Sequence, residues 1–235
     1  MRLLAITPPA ALAPTLDPAV IESWLQAGAA SLGVSVLLRE PSACAAAILG
    51  DPRLIALRRA LADRNLPALV SVDPRALERD LGELRRADPP IAGIQLRGDP
   101  SPALRQRWRE ELPAMVIGRS VHGATPTPSR FVDYTCLAPI YPPLTVQPGV
   151  HKHAIGLAGL RSWASVCDDV IALGGITPAN ADHCLAAGAQ GVAGIRLFFA
   201  RNAEARDNVR ALRQVFSLRE SPGPNDHGPQ AQRRG

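Results

Sequence analysis

The sequence predicts one domain with the (β/α)8 fold, the eight-stranded TIM barrel. Its 235 residues are enough for one barrel of this class. Eight short runs are almost continuously apolar, which is typical of parallel strands covered on both faces. Most of these runs are followed by a longer amphipathic segment with a helix-start signal, so predicted strands and helices alternate along the chain.

The eight predicted strands are spread over most of the chain, and an open doubly wound sheet is the alternative arrangement for them. No GxGxxG motif follows the first strand, which argues against an open dinucleotide-binding sheet. The predicted strands cover residues 2–7, 34–40, 67–72, 91–97, 114–120, 132–139, 170–176 and 191–198.

Four residues directly precede a proline at the start of an amphipathic segment, as a helix N-cap does when proline takes the first helical position. They are Asp17, Asp51, Asp73 and Ser101. Thr177 before Pro178 repeats this pattern, and Gly188 fits the end of that helix. We expect the barrel to occupy residues 1–218. Residues 219–235, rich in Pro, Gly and polar side chains, predict a disordered tail.

Charge and cysteine content indicate a cytoplasmic protein with reduced thiols. The net charge is +5, but the arginines are spread along the chain, which favours solvated surfaces over a nucleic-acid interface. The four cysteines form no CxxC pair that would support a metal site. The apolar run after Met1 is too short for a secretory leader or a membrane span, so no membrane partner is expected.

Polar side chains follow most of the predicted strands, at the end where barrels carry their active sites. Arg39 and Glu40 end the second strand, Asp73 follows the third, and Gln95, Arg97 and Asp99 lie at the fourth. Ser120 and His122 end the fifth strand, and Thr145 and Lys152 lie in the long loop after the sixth.

The last two strand ends predict a phosphate site. Gly174 and Gly175 follow the seventh strand, and Gly194, Ile195 and Arg196 lie at the eighth. Glycines let the backbone approach a ligand closely, and loops after strands seven and eight of barrels often bind phosphate. The alternative is a plain tight turn in which Thr177 caps the next helix.

His122 is the candidate acid–base residue. The unperturbed pKa of histidine, about 6.5, allows proton uptake and release near neutral pH. Ser120 lies two residues earlier, so both side chains would point to the same side of a strand. No GxSxG motif supports a hydrolytic triad. The alternative is a histidine that only hydrogen-bonds a loop backbone, and the sequence leaves both interpretations open.

The chain resembles the superfamily of thiamine phosphate synthase and the TenI-type thiazole tautomerase over most of residues 2–200. The resemblance rests on the order and spacing of "LLAIT", "VLLRE", "VIGRSVHG", "DYTCLAPIYPP", "GLAGLR", "VIALGGITPAN" and "AGAQGVAGI". It implies a barrel that binds a small heterocyclic phosphate, and it leaves a homo-oligomer open as a further expectation.

A synthase would need Mg²⁺ and several cationic groups to neutralise a diphosphate. The superfamily's synthases carry a lysine just after the strand-two arginine, where this chain has Glu40 and Pro41. Their Asn-Asp-Arg after strand three is replaced by a segment ending at Asp73, and "LTVQPG" lacks their lysine after strand six, for which Lys152 could substitute. Asp99 is the one candidate for an acidic metal ligand.

A tautomerase needs only an acid–base group and a phosphate site, without a metal or other cofactor. The resemblance of "GRSVH" to the tautomerases implies His122 as the proton shuttle and a thiazole carboxylate phosphate as substrate. The expected substrate-binding residues are Arg39, Ser120, Thr145, Gly174, Gly175, Gly194, Ile195 and Arg196. Arg196 stands where the superfamily has a small hydroxyl residue. The alternatives are a divergent synthase and a non-catalytic barrel that binds a thiamine-related phosphate.

Overall fold

Eight parallel strands close into a barrel in chain order. The computed structural model describes residues 1–123, 125–142 and 153–220. The strands are β1 (Leu3–Ile6), β2 (Val34–Leu38), β3 (Ala68–Val72), β4 (Gly93–Leu96), β5 (Val116–Val121), β6 (Tyr134–Leu137), β7 (Val170–Leu173) and β8 (Gly191–Gly194). β1 pairs with both β2 and β8, so the sheet has no edge. The predicted (β/α)8 barrel is confirmed, and the open sheet is excluded.

The helices follow the strands, with two departures from regular alternation. They are α1 (Ala19–Gln26), α2 (Ala45–Gly50), α3 (Pro52–Ala62), α4 (Leu77–Arg85), α5 (Pro102–Glu111), α6 (Gly156–Ala164), α7 (Pro178–Ala186) and α8 (Asn202–Glu220), with a 3₁₀ turn at Ala29–Leu32. Two helices follow β2. Between β5 and β6, the described residues form no helix. Seven strands are therefore followed by at least one helix, and the described residues after β5 are the exception to the predicted alternation.

The predicted helix starts are confirmed at two of the four Asp-Pro and Ser-Pro sites. Asp51 accepts a hydrogen bond from the N–H of Arg53 at 2.9 Å and caps α3. Ser101 accepts one from Leu104 at 3.3 Å and caps α5. Asp73 is not the cap of α4, because a turn intervenes and the helix begins only at Leu77.

Of the remaining predicted helix starts, Asp17 lies close to the start of α1 and Thr177 lies at the start of α7. The carboxylate of Asp17 accepts a hydrogen bond at 2.9 Å from the N–H of Ala19, the first residue of α1. Thr177 is the N-cap of α7, and the N–H of Thr177 donates to Asn180 Oδ1 at 2.8 Å. Gly188 has a φ of +99° just beyond that helix, as expected for a glycine stop.

Inside the barrel, apolar side chains form one cluster, and polar side chains lie near the carboxyl ends of the strands. Outward-facing side chains pack against the helices in one continuous core. Inside the barrel, the apolar cluster consists of Leu4, Ile6, Leu37, Leu69, Tyr134, Cys136, Ile171 and Ala193. Ser71 and Gln95 are also buried and lie closer to the carboxyl ends of β3 and β4. Polar groups therefore collect where the sequence predicts the site.

Each of the three tryptophans is buried and holds a loop that follows a strand. The indole N–H of Trp24 donates to Phe198 O at 2.9 Å, after β8. That of Trp108 donates to Pro74 O at 3.0 Å, after β3, and that of Trp163 to Gly123 O at 2.9 Å, after β5. The three indoles therefore pack in the core, and their hydrogen bonds fix loops at the carboxyl ends of the strands.

Residues 122, 123 and 125–133 lie between β5 and β6 and form no helix; we call these described residues the β5–β6 strap. Arg119 points outward from β5, is fully buried, and donates to Thr135 Oγ1 at 3.0 Å and to Thr127 Oγ1 at 2.9 Å. Arg105 donates to Pro128 O at 2.8 Å. Polar side chains thus hold this part of the molecule where the apolar face of a helix would otherwise pack.

The last described helix, α8, includes residues 219 and 220, which the sequence assigned to the tail, whereas residues 221–235 lie outside the described part of the chain. All four cysteines are free thiols. No helix within the described ranges is long and apolar enough to span a membrane.

Candidate active site

Three neighbouring strands bring polar side chains to the upper part of the barrel interior. The register pairs Ser71 of β3 with Gln95 of β4. Gln95 Nε2 donates to Ser120 Oγ on β5 at 2.9 Å, which shows that the side chain of Ser120 faces the interior. The predicted orientation of Ser120 is therefore observed. Gln95 and Ser71 were not among the expected substrate-binding residues, although the alternation of side chains along β4 and β5 would have placed them beside Ser120.

Arg39 lies at the end of β2 with its backbone fixed. Thr7 Oγ1 accepts a hydrogen bond from the N–H of Arg39 at 2.8 Å and donates to its carbonyl at 3.1 Å. Its guanidinium makes no hydrogen bond or ion pair with any described residue. Burial lowers the pKa of Arg39, Arg97 lowers it further by repulsion, and Glu40 partly offsets both. A half-buried cation without a described counter-ion is suited to bind an anion.

Arg97 uses its guanidinium to connect β3 with the loop after β2. Its Nε donates to Ser71 Oγ at 3.2 Å, and Nη2 donates to Ser71 O at 3.2 Å and to Ala43 O. None of these acceptors carries a full charge. Arg97 therefore adds positive potential beside Arg39 while it fixes the local backbone.

Two carboxylates at the strand ends, those of Glu40 and Asp99, are paired with arginines. Glu40 accepts from the N–H of Ala10 at 2.8 Å and pairs with Arg53 at 3.1 Å. Asp99 pairs with Arg119 at 2.7 Å and accepts from Thr127 at 2.9 Å, so it belongs to the β5–β6 strap. Mg²⁺ requires oxygen ligands that converge on one point. Within the described ranges, no group of three or more Asp, Glu, His or Cys converges in this way.

His122 follows the last residue of β5 and is exposed at the mouth of the barrel. Its Nδ1 lies 3.1 Å from Ala138 O, just beyond the end of β6. Because a carbonyl oxygen only accepts hydrogen bonds, this contact places the proton of the neutral ring on Nδ1 and the lone pair on Nε2. The backbone hydrogen bond expected from the alternative interpretation is thus present, and it fixes the orientation of the ring.

Gly174 and Gly175 form the turn after β7, with φ angles of +94° and +64°. A Cβ atom at Gly174 would lie 2.6 Å from Pro139 Cβ, and one at Gly175 would lie 2.6 Å from Tyr141 Cβ. Both glycines are therefore needed for close packing against the loop after β6. Their backbone N–H groups donate to no acceptor in the described part of the chain, which leaves them available to an anion.

The turn after β8 lies beside the turn after β7, because the two strands are paired. Ile195 O accepts hydrogen bonds from the N–H groups of Phe198 at 3.1 Å and Phe199 at 2.8 Å, which closes this turn. The N–H groups of Ile195 and Arg196 have no acceptor among the described residues, and the exposed guanidinium of Arg196 has no described partner. Gly194 is the last residue of β8.

Thr145 and Lys152 lie outside the described residues, so their predicted roles stay predictions. A separate cavity of about 420 Å³ lies at the opposite end of the barrel, lined by residues such as Gly33, Ser35 and Asn65. We place the candidate site at the carboxyl ends of the strands instead. The oriented histidine lies there, together with arginines and backbone N–H groups that have no partner among the described residues.

A closed parallel barrel with such groups at the carboxyl ends of its strands is an α/β barrel of the type that carries enzyme active sites. The profile of the family described as thiamine monophosphate synthase matches residues 3–198, and the chain belongs to this family. The resemblance drawn from the sequence motifs is confirmed.

Several solved structures share the fold. Thiamine phosphate pyrophosphorylase from Pyrococcus furiosus has a TM-score of 0.61 and 21% identity, covering 92% of this chain and 96% of that chain. The pyrophosphorylase from Bacteroides thetaiotaomicron has a TM-score of 0.52 and 18% identity, covering 93% and 98%. A 3-hexulose-6-phosphate synthase has a TM-score of 0.59 and 14% identity, covering 92% and 99%. No curated protein matches the sequence.

Proposed function

We propose that this protein is a TenI-type thiazole tautomerase, which isomerises a thiazole carboxylate phosphate by proton transfer. The contact between His122 Nδ1 and Ala138 O carries this proposal, because it fixes the neutral tautomer whose Nε2 can accept a proton. The remaining groups at the mouth would bind and orient a small heterocycle that carries two anionic groups, a phosphate and a carboxylate.

The phosphate would bind at the turns after β7 and β8, where the N–H groups of Gly174, Gly175 and Ile195 donate to no described residue. Arg196 would add a charged donor to the phosphate oxygens. The substrate carboxylate would face Arg39 at the end of β2, which β1 separates from β8. Fixing the two ends of the molecule would hold the ring between them, near Ser120 and His122.

In this arrangement, Nε2 of neutral His122 takes a proton from one atom of the ring system. The electron pair left behind spreads over the conjugated ring and carboxylate, where the charges of Arg39 and Arg97 stabilise it. The imidazolium then returns the proton to a second atom of the same system. The proton count is unchanged, and His122 ends in its starting state.

Thiamine phosphate synthase is the second candidate, supported by the family match and by the adjacent cations Arg39 and Arg97, which together could neutralise a diphosphate. The ion pair between Asp99 and Arg119 weighs against it, because a synthase relying on Mg²⁺ would need a free carboxylate, and Asp99 is the candidate ligand.

The test is a turnover assay with thiazole carboxylate phosphate in the presence of a chelator, for the wild type and for His122→Ala. We expect isomerisation by the wild type and a loss of roughly 10²- to 10⁴-fold in the variant, the usual contribution of a general acid–base residue. His183→Ala, which removes an exposed histidine on α7, is the matched control and should retain full activity.

A second arm adds a pyrimidine diphosphate, thiazole phosphate and Mg²⁺. Formation of thiamine phosphate in this arm would replace the proposal with the synthase. Tight binding of the thiazole compound without turnover, unchanged in His122→Ala, would identify a non-catalytic binding protein instead.

A further inference from the structure

Gln95 is a buried amide at the wall of a barrel whose interior is otherwise mostly apolar. Only 1% of its surface is exposed. Its Nε2 donates to Ser120 Oγ at 2.9 Å, and its Oε1 has no partner among the described residues. An amide buried with one unsatisfied atom is unfavourable for stability compared with an apolar side chain of similar size. Stability alone therefore does not account for glutamine at this position.

The position of the amide is closely defined by its neighbours. The register pairs Gln95 with Gly118, which in turn pairs with Tyr134. A Cβ atom at Gly118 would lie 2.4 Å from Gln95 Oε1 and 2.2 Å from Tyr134 Cζ. The glycine therefore makes room for both side chains. The amide oxygen lies beside Gly118, and the amide nitrogen is directed at Ser120.

This contact controls the direction of the Ser120 hydroxyl. A serine hydroxyl donates one hydrogen bond and accepts up to two. Because Gln95 Nε2 donates to Ser120 Oγ, the proton of that hydroxyl cannot point back toward the amide nitrogen. Ser120 is partly exposed, so the free direction for its proton is the mouth of the barrel.

We infer that Gln95 is a positioning residue that turns the Ser120 hydroxyl into a donor for an acceptor atom of the bound heterocycle. The acceptor would be a ring nitrogen or a carboxylate oxygen, both of which lack protons near neutral pH. This inference rests on the proposed function, because it assigns Ser120 to the same ligand as His122.

The test is a double-mutant cycle between Gln95 and Ser120, in which kcat and KM are measured for thiazole carboxylate phosphate. The affinity for the same compound is measured by calorimetry in a His122→Ala background. We expect Gln95→Leu and Ser120→Ala each to reduce kcat/KM about tenfold, the effect of one oriented hydrogen bond. The double variant should lose no more than Ser120→Ala alone. Gln95→Leu should melt at the wild-type temperature or above it.

Two further variants complete the design. Gln95→Glu, assayed at pH 8, offers an acceptor where the amide offers a donor, so it should lose as much activity as Gln95→Leu. Gln106→Leu, which changes an exposed glutamine on α5, is the control and should behave as wild type.

Additive losses in the double variant, a lower melting temperature for Gln95→Leu, or full activity of Gln95→Glu would each overturn the inference. Failure of the proposed function is separate. If the wild type binds the compound without turning it over, the calorimetric cycle alone decides whether Gln95 and Ser120 act as a unit.

Discussion

Arg97 and Arg119 are two arginines at the ends of adjacent strands, and they have different roles because they differ in strand parity. Arg97 has the parity of Gln95 and contacts Ser71 inside the barrel. Arg119 precedes Ser120 by one residue, so it points outward and is buried beneath the β5–β6 strap. Successive side chains of a strand point to opposite faces. The guanidinium of Arg97 therefore lies on the inner face of the barrel and that of Arg119 on the outer face.

The turn glycines after β7 give a prediction for single residues. Gly174→Ala places a Cβ atom 2.6 Å from Pro139 Cβ at a φ of +94°. We expect it to lower the free energy of unfolding by about 1–3 kcal/mol, through overpacking and the left-handed backbone. It should also weaken the binding of thiazole phosphate. Urea unfolding and calorimetry would measure the two effects.

Gly50→Ala is the control for this change. Gly50 is the last residue of α2, its φ is not positive, and a Cβ atom there would meet no atom within 4 Å. It should leave stability unchanged or raise it by about 0.5 kcal/mol. Equal stability of the two variants would mean that the turn after β7 adjusts to a side chain.

The strands were predictable because both faces of each are buried, which makes them continuous apolar runs in the sequence. The missing helix between β5 and β6 was not predicted, although "TPTPSR" contains two prolines and no apolar periodicity. The four-residue spacing of a helix is absent there. Nothing in the local sequence showed that Arg119, from within a strand, would supply the packing in its place.

The β5–β6 strap gives a prediction for this element. Arg119→Met removes hydrogen bonds to Thr127 and Thr135 and leaves Asp99 without its ion-pair partner. Asp99 is partly exposed, so solvent compensates for part of the loss. We expect the free energy of unfolding to fall by about 2–3 kcal/mol, measured by urea denaturation.

Arg107→Met provides the comparison on the neighbouring helix α5. Arg107 pairs with Glu78 at 2.9 Å, but both side chains are largely exposed. An exposed pair contributes at most about 1 kcal/mol. If the two arginine variants were equally stable, the polar contacts of the strap would not be what holds it in place.

For the whole molecule, the site could be predicted in outline because all parallel strands of a barrel end on the same side, where polar residues then collect. The positions of Ser120, His122, Gly174 and Gly175 followed from this rule. The pairing of Asp99 and Glu40 with arginines did not. Those partners are 20 and 13 residues away along the chain, and only the closed fold brings them together.

The cysteines report on the integrity of the entire fold. Burial raises the pKa of Cys136 to about 12 and that of Cys184 to about 11. Cys167 is buried, whereas Cys44 is exposed. At pH 8 we expect a thiol reagent to modify one cysteine of the native protein rapidly and all four after unfolding. In Cys44→Ser, rapid modification should disappear.

The same pKa shifts give a pH dependence. Free thiols ionise at a pH of about 8.5, so above this value the unfolded chain releases protons that folded Cys136 and Cys184 retain. The stability contribution is complete below that pH and is lost as the pH rises toward 11–12. Denaturant midpoints should therefore fall between pH 8 and pH 10. An unchanged midpoint in this range, or rapid modification of two native thiols, would contradict the buried positions.

The three tryptophan hydrogen bonds have a consequence for observing the protein. Trp24, Trp108 and Trp163 are the only fluorophores of their kind in the sequence. Each is fixed by its indole N–H to a loop that borders the mouth of the barrel. The emission of an indole responds to the polarity and hydrogen bonding around it. The contacts that hold these loops in place therefore also make loop rearrangements visible by light emission, without any attached label.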